Sequence, residues 1–243
     1  MKKVFLFTTL MILPFIQVWT QGGGDNRTSI PLIGVEAPSF TAISTNGPVN
    51  FPADFGKDWK VLFAHPKAFT PVCSSELLEL AREQEVFARL GARLIVISTD
   101  NLAQQQSWKA ALEEVRFKGN EPVKIGFPLV EDPHYRISNR YGMIHPSANI
   151  TENIRGVFII DPENKVRAIF YYPNEVGRNI DELTRTLVAL QTTRSNPKIV
   201  TPANWRVGDD YMVPVLTSAE RENIGKQGSD HYQFHWFMIY QKP

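Results

Sequence analysis

The sequence predicts an α/β protein in which helices cover both faces of a central mixed sheet and a small domain is appended at the C-terminus. Three observations carry this prediction. Apolar runs rich in β-formers alternate with segments whose apolar residues recur at helical spacing, a pattern typical of sheets covered by helices. Two strand-like runs near residue 160 are separated by a short turn, which predicts a closing hairpin. After Lys198, turn residues and alternating aromatics replace the helical pattern.

The predicted elements follow in order along the chain. WKVLFAH (59–65) is rich in β-formers and predicts a strand, and segment 74–91 has apolar residues at helical spacing and ends on a glycine. ARLIVIST (92–99) is a continuous apolar run, as expected for a strand buried on both faces. Asp100 is predicted to cap the next helix, over 101–116.

The second half of the sheet repeats this pattern. A third strand is predicted over 127–133, followed by a short helix that ends near Gly142. Strands over 155–161 and 165–173 form the hairpin, and an amphipathic helix over 179–193 follows. This order of elements suits a thioredoxin-like sheet with an insertion. The exposed-looking second strand of the hairpin is the candidate edge of the sheet.

The N-terminal residues have the pattern of an export signal. Two lysines precede an apolar run that gives way to glycines, which predicts a signal peptide over 1–21. The run contains Pro14 and is shorter than the ~20 residues of a spanning helix, so we expect no stable membrane span. The remaining divisions are a flexible linker over 22–30, the main domain over 31–197 and the appended domain over 198–243. If the leader is cleaved, we expect export to a periplasm, secretory lumen or extracellular space, and otherwise a cytoplasmic protein.

Composition narrows the classes of function. The chain of 243 residues has a formal net charge of +1, and no local basic cluster stands out. Binding to nucleic acid is therefore not expected, because it rests on dense positive charge. The overall composition is that of an ordinary globular protein.

The chain contains a single cysteine, Cys73, in the stretch HPKAFTPVCSSE. One cysteine makes no internal disulfide, and a lone thiol in an exported protein is either intermolecular or reactive. Cys73 follows a strand and stands at the start of a predicted helix, where unpaired N–H groups favour a thiolate. The alternative is a buried cysteine that acts as a small hydrophobe. A proline-bracketed position at a helix start favours the nucleophile.

The spacing of Pro66, Thr70 and Cys73 resembles the P-x-x-x-T-x-x-C active-site motif of peroxiredoxins, and the longer stretch resembles their one-cysteine, peroxiredoxin-6-like subfamily. The resemblance extends over the chain from about Ile33 to Pro243. Its further segments are FPLVEDP, YGM, RGVFIIDP, YYPNEVGRNIDELTR and VTPANWRVGDD, which stand in the usual order of that subfamily.

The resemblance implies a thiol-dependent peroxidase that needs no cofactor or metal. Cys73 would attack hydrogen peroxide or an organic hydroperoxide and become a sulfenic acid. Thr70 would orient the peroxide, Pro66 would shield the sulfur, and Arg155 would stabilise the thiolate and the developing oxyanion. With no second thiol in the chain, an external thiol such as glutathione or a thioredoxin-like protein would reduce the sulfenic acid. The resemblance also implies a homodimer or higher homo-oligomer, with the 198–243 segment near the partner's active site.

Two accessory residues follow from the same resemblance. His65 is either a packed histidine at a strand end or a residue that tunes the thiolate or the access of the reductant. Arg178 is either a second arginine near the active site or a surface cation. Glu76 is expected to have a structural hydrogen-bonding role.

Other functions fit the residues less well. The lipase motif G-x-S-x-G of some relatives has Asp58 in place of its serine, so we do not expect that activity. A disulfide oxidoreductase needs C-x-x-C, and Glu76 occupies the second position. His231 and His235 share a strand face without a third ligand, which favours a packed hairpin over a metal site. A binding or scaffold protein that keeps the fold without turnover remains the alternative function.

Overall fold

The structure is a computed structural model that describes residues 30–243. The predicted signal peptide over 1–21 and residues 22–29 of the predicted linker lie outside the described residues. Both therefore stay predictions.

The described chain consists of a large sheet with its helices and a smaller C-terminal unit. The strands of the large sheet are β1 (Phe40–Ser44), β2 (Gly47–Phe51), β3 (Trp59–Ala64), β4 (Ala92–Ser98), β5 (Leu129–Glu131), β6 (Arg155–Ile160) and β7 (Val166–Tyr172). Its helices are α1 (Pro71–Arg89), α2 (Leu102–Leu112), α3 (Arg136–Arg140) and α4 (Ile180–Ser195).

The large sheet is mixed, with the strand order β2-β1-β5-β4-β3-β6-β7. Strands β3, β4 and β5 are parallel to one another, and the remaining pairs are antiparallel. Residues of α1, α2 and α4 pack against one face, and α3 packs against the other. This is the predicted thioredoxin-like architecture, with the three longest helices on one face. Strand β7 forms one edge, as the sequence predicts.

Strands β1 and β2 form a hairpin that the sequence analysis missed. Each strand has five residues, and only alternate positions are buried, so the hydrophobic pattern is too short to stand out. The pair is held by Phe40 and Phe51, whose rings stack with centroids 5.0 Å apart. This hairpin extends the sheet on the side away from β7.

Several element boundaries differ from the prediction; α2, for example, ends at Leu112 rather than at residue 116. Helix α1 begins at Pro71 rather than at residue 74, because Thr70 is its N-cap and proline fits the first helical position. Asp100 does not cap α2. Asn101 does so, in a capping box with Gln104, and this leaves Asp100 free for another role.

The C-terminal unit is a small antiparallel sheet with a short helix. It contains β8 (Tyr211–Met212), α5 (Ser218–Glu222), β9 (His231–His235) and β10 (Met238–Gln241), and β10 is the central strand. The predicted hairpin is present, but its tip is not packed. Phe234, Trp236 and Phe237 at this tip are 60–72% exposed.

Candidate active site

The chain places Cys73 at the carboxyl end of central strand β3. The strand ends at Ala64, residues 65–70 form a loop, and α1 begins at Pro71. Cys73 is the third residue of that helix and is 1% exposed. Its sulfur therefore lies in the first turn of a long helix, where the dipole and unpaired N–H groups favour negative charge.

Asp100 fixes the loop that leads to the cysteine. Its Oδ2 accepts from Ala68 N at 2.7 Å and from Ser98 Oγ at 3.0 Å, and all three groups are buried. Phe69, which follows Ala68, has φ of +59°. This left-handed backbone conformation is energetically unfavourable for a residue other than glycine. The hydrogen bonds of Asp100 stabilise the loop in this conformation.

Arg155 supplies the cation that a reactive thiolate requires. It is the first residue of β6, directly beside β3 in the sheet, and it is 2% exposed. Its Nη1 lies 3.3 Å from Cys73 Sγ. Its Nε and Nη2 both donate to Asn174 O, at 2.9 and 2.6 Å, and this fixes the plane of the guanidinium. A buried, oriented positive charge beside the sulfur stabilises the thiolate and any negative charge that develops next to it.

Glu76 joins Arg155 to Arg178. Its Oε2 accepts from Arg155 Nη1 and from Arg178 Nη2, both at 2.7 Å, and its Oε1 accepts from the N and Nε of Arg178 at 2.8 and 2.9 Å. Glu76 stands one helical turn after Cys73, on the same face of α1. The carboxylate therefore holds the cation where it faces the sulfur.

Arg178 is a buried structural cation rather than a surface one. Its Nη1 donates to Ala64 O at 2.6 Å and to Gly156 O at 3.0 Å, so it links β3 to β6. Its guanidinium lies over the ring of Phe63, 3.3 Å from the centroid. Burial lowers the pKa of Arg178, and hydrogen bonding to Glu76 opposes that effect. Glu76 thus links Arg178 to the guanidinium that contacts the thiol.

His65 is buried as a neutral imidazole. It is 1% exposed, and neither ring nitrogen has a hydrogen-bond partner within the described residues. Burial, followed by the charges of Arg178 and Arg155, lowers the pKa of His65 to about 3. The backbone of Lys67 opposes this shift, although it makes no hydrogen bond of ordinary geometry with the ring. The ring packs on Trp108, with centroids 4.9 Å apart.

The structure places Pro66 and Thr70 in the same loop. Pro66 is buried, directly after His65. Thr70 Oγ1 donates to Lys67 O at 2.9 Å, which leaves its lone pairs available and its hydroxyl half-exposed. All six predicted site residues thus lie around the N-terminus of α1. The structural hydrogen-bonding role expected of Glu76 is confirmed. Sequence reasoning missed the Asn174 carbonyl, which orients Arg155, and Asp100, which orients the loop.

The sequence also raised the questions of a metal site and of a membrane span. In residues 30–243, no three His, Cys, Asp or Glu side chains gather in a way that could hold a metal ion. Among the helices described, none has the length and apolar character needed to cross a membrane.

Comparison with known proteins agrees with this geometry. The AhpC/TSA family model matches residues 33–169, and the model of the C-terminal domain of 1-Cys peroxiredoxin matches residues 189–226. The chain is 42% identical over 216 residues to a peroxiredoxin of Methanosarcina mazei, covering 88% of this chain and 98% of that protein. The chain belongs to the peroxiredoxin family. A Thermotoga maritima peroxiredoxin is 38% identical over 217 residues, with coverage of 88% and 98%.

This peroxiredoxin is similar in structure to one-cysteine members of the family. It resembles a yeast mitochondrial 1-Cys peroxiredoxin, whose thiol is resolved via glutathione/thioredoxin systems, with a TM-score of 0.75 and 32% identity; coverage is 88% of this chain and 100% of that one. Peroxiredoxin 6 of Arenicola marina gives a TM-score of 0.74 and 29% identity, with coverage of 87% and 97%. The peroxiredoxin described here is a thiol-dependent peroxidase, and its single cysteine fits a peroxidatic role.

Proposed function

We propose that Cys73 is the peroxidatic cysteine and that Arg155 is its catalytic cation. The observation that carries this proposal is the 3.3 Å contact between Arg155 Nη1 and Cys73 Sγ inside a buried helix N-terminus. Buried arginines need partners, and here one of the partners is the sulfur. A cysteine that merely filled space would need no such neighbour.

The proposed first step is attack of the Cys73 thiolate on a peroxide oxygen. An S–O bond forms, the O–O bond breaks, and the departing oxygen takes up a proton and leaves as water or an alcohol. Sulfur is oxidised to a sulfenic acid while the peroxide is reduced. Arg155 stabilises the negative charge on both sulfur and oxygen, and the lone pairs of Thr70 are available to orient the peroxide proton.

The proposed second step needs a thiol from another molecule, because the chain has one cysteine. The first external thiol forms a disulfide with Cys73 and releases water, and a second thiol then frees Cys73. Glutathione and thioredoxin-like proteins have the required chemistry.

The substitution Cys73→Ser tests the function. It should abolish the consumption of hydrogen peroxide in the presence of a small thiol, while circular dichroism and the unfolding midpoint stay close to those of the wild type. Unchanged turnover would contradict the proposal and favour a scaffold protein without catalysis.

We also propose that the protein forms a homodimer through the β7 edge. Strand β7 is an edge strand of the described sheet, and only its first residue, Val166, is paired on the outer side, with Gly34 and Val35. The rest of that edge is a template for pairing with a second copy. Light scattering at micromolar concentration tests this, since a monomeric mass would refute it.

A further proposal concerns the cellular location. The sequence of the first 21 residues supports export, where reducing thiols are scarcer than in the cytosol. N-terminal sequencing of the protein from its native host decides the matter: a start near Gln21 supports export, and an intact Met1 in the cytosolic fraction excludes it.

A further inference from the structure

The small sheet of the C-terminal unit has two faces of different character. On the inner face, Ile239 of the central strand β10 packs with Ile199, Val213 and Leu216 in a small core. Its neighbour in the strand, Tyr240, points to the opposite side, because successive side chains of a strand alternate between the two faces. We call the side that carries Tyr240 the outer face. The inner face stabilises the fold, which leaves the outer face free for another contact.

The outer face carries a row of apolar and aromatic side chains. Tyr240 lies opposite Tyr232 of β9 and opposite Met212 of β8, so the three side chains share this face. Val200, which is 41% exposed, pairs with Met212 at the end of the row. Phe234 stands two residues after Tyr232, and its ring meets that of Tyr240 edge to face, with centroids 5.4 Å apart. The outer face is therefore a continuous apolar surface.

This surface continues into the turn between β9 and β10. Trp236 and Phe237 form the turn, and together with Phe234 they are 60–72% exposed. An aromatic side chain has about 150–250 Å² of surface, so the three expose on the order of 400 Å². An apolar patch of this size on a soluble protein is often a binding site.

The charges around the outer face favour a second copy of the same surface as its partner. No Asp, Glu, Lys or Arg stands between Asp230 and Lys242 in the sequence. At the border of the face, the carboxylate of Asp210 accepts from the hydroxyl of Tyr232 at 2.6 Å. Two identical faces can therefore meet about a two-fold axis with no like charges at the centre of the contact. A strongly charged partner would find no opposite charges there.

The area is sufficient for a specific contact between two copies. Pairing covers the aromatic side chains at both tips, and the row behind them raises the buried total to about 1,000 Å², the lower range of specific interfaces. We infer that the outer face, with Trp236 and Phe237 at its tip, pairs with the same face of a second copy. This contact joins two C-terminal units to each other, and the β7 edge lies in the large sheet. One chain can therefore use both surfaces, so that two β7 dimers are joined.

The mass in solution of a variant that combines Trp236→Ser with Phe237→Ser tests this contact. By light scattering at micromolar concentration, the wild type should have about twice the mass of the variant, because a two-fold contact pairs one unit with one other. This ratio holds whether the β7 pairing gives a dimer or leaves a monomer. Both substituted positions are exposed, so circular dichroism and the unfolding midpoint should stay those of the wild type. Equal masses would overturn the proposal.

Val215→Ser is the matched control. Val215 is 80% exposed, belongs to the same C-terminal unit and lines a cavity with His231 and Gln241. Gln241 follows Tyr240 in β10 and points to the inner side, so Val215 lies away from the outer face. The mass of this variant should equal that of the wild type. A fall as large as that of the tip variant would overturn the proposal, since the loss of any exposed apolar side chain would then have the same effect.

A photo-crosslink identifies the two surfaces that meet. With Phe237 replaced by photoreactive benzoylphenylalanine, crosslinks located by mass spectrometry should join residue 237 to residues 232–240 of a second copy. Crosslinks to the large sheet or to the active-site loop would overturn the contact between like faces. Phosphatidylcholine vesicles test a lipid surface as the alternative: the wild type should stay in the supernatant when the vesicles are sedimented. Sedimentation with the vesicles that the tip variant loses would overturn the proposal and assign the outer face to lipid.

Discussion

Arg155 Nη1 lies 3.3 Å from Cys73 Sγ, and the same nitrogen donates to the carboxylate of Glu76 at 2.7 Å. The guanidinium is thus shared between the reacting atom and a permanent anion. Because the carboxylate stays in place whether sulfur is charged or neutral, the cation is already oriented before the reaction begins. This is preorganisation of the kind that lowers reaction barriers in buried sites.

Replacing Arg155 with methionine should slow peroxide attack by about 100- to 1000-fold, since loss of one preorganised donor has effects of that order. Alkylation of Cys73 by iodoacetamide at pH 7 should slow as well, because the cation favours the thiolate. Arg167→Met is the control: Arg167 lies on β7 and pairs with Asp161 at 3.1 Å, away from the thiol. Equal alkylation rates in Arg155→Met and the wild type would contradict the assigned role.

Glu76→Gln should destabilise the protein by about 3 to 5 kcal/mol, the usual effect of removing one partner from a buried ion pair. Two guanidiniums that are nearly inaccessible to solvent lose their shared anion. The control is Glu79→Gln, three residues further along the same helix. It removes a more exposed ion pair with Lys118 and should lower the free energy of unfolding by about 0 to 1 kcal/mol. Urea unfolding of both variants measures the difference. Similar midpoints would show that Glu76 is not needed to hold the arginines.

Thr70→Val should lower the rate of peroxide attack by about 100-fold, the order expected for one oriented hydrogen-bonding group. The variant keeps the β-branched shape of the N-cap residue but loses the hydroxyl that lies before the helix. Thr70→Ser retains a hydroxyl and should keep most of the rate. Stopped-flow measurement of peroxide consumption compares the three proteins, and equal loss in the valine and serine variants would argue against a role for the hydroxyl.

Much of the fold could be predicted because its signals are local. The alternation of β3, α1, β4 and α2 is visible in hydrophobic spacing alone. The β1–β2 hairpin escaped notice because its strands are short and half-buried. The start of α1 was placed late because a helix start depends on Thr70 and Pro71, which precede the apolar pattern.

The candidate site divides in a similar way. Cys73 was identified because it is the single cysteine of the chain and stands at the start of a predicted helix. Arg155 was identified by the resemblance to a family. The contacts of Glu76 with Arg178 join residues 102 positions apart, and no spacing rule reaches that far. The partner of Asp100 was likewise hidden, because an acid after a strand is usually interpreted as a helix cap. Orientation of the cation is therefore a tertiary property that the sequence pattern alone does not show.

His65 should make the protein sensitive to acid. Its pKa is about 3 in the folded protein and about 6.5 in an unfolded chain, because burial and two nearby guanidiniums disfavour the charged ring. Between those values the unfolded chain binds more protons at this residue than the folded one. The stabilising contribution of neutral His65 is therefore complete above pH 6.5 and is lost as the pH falls toward 3.

His65→Leu removes the titrating group and replaces two nitrogens that have no hydrogen-bond partner among residues 30–243 with an apolar side chain. Between pH 7 and pH 4.5 the wild type should lose about 2.5 kcal/mol more of its free energy of unfolding than this variant does, from the difference between the two pKa values. Carboxylates titrate in both proteins, so the comparison of the two slopes isolates the histidine. Urea unfolding at a series of pH values gives both slopes. If the free energy of unfolding depended on pH equally in the two proteins, His65 would take up its proton in the folded protein. That result would contradict a buried neutral imidazole.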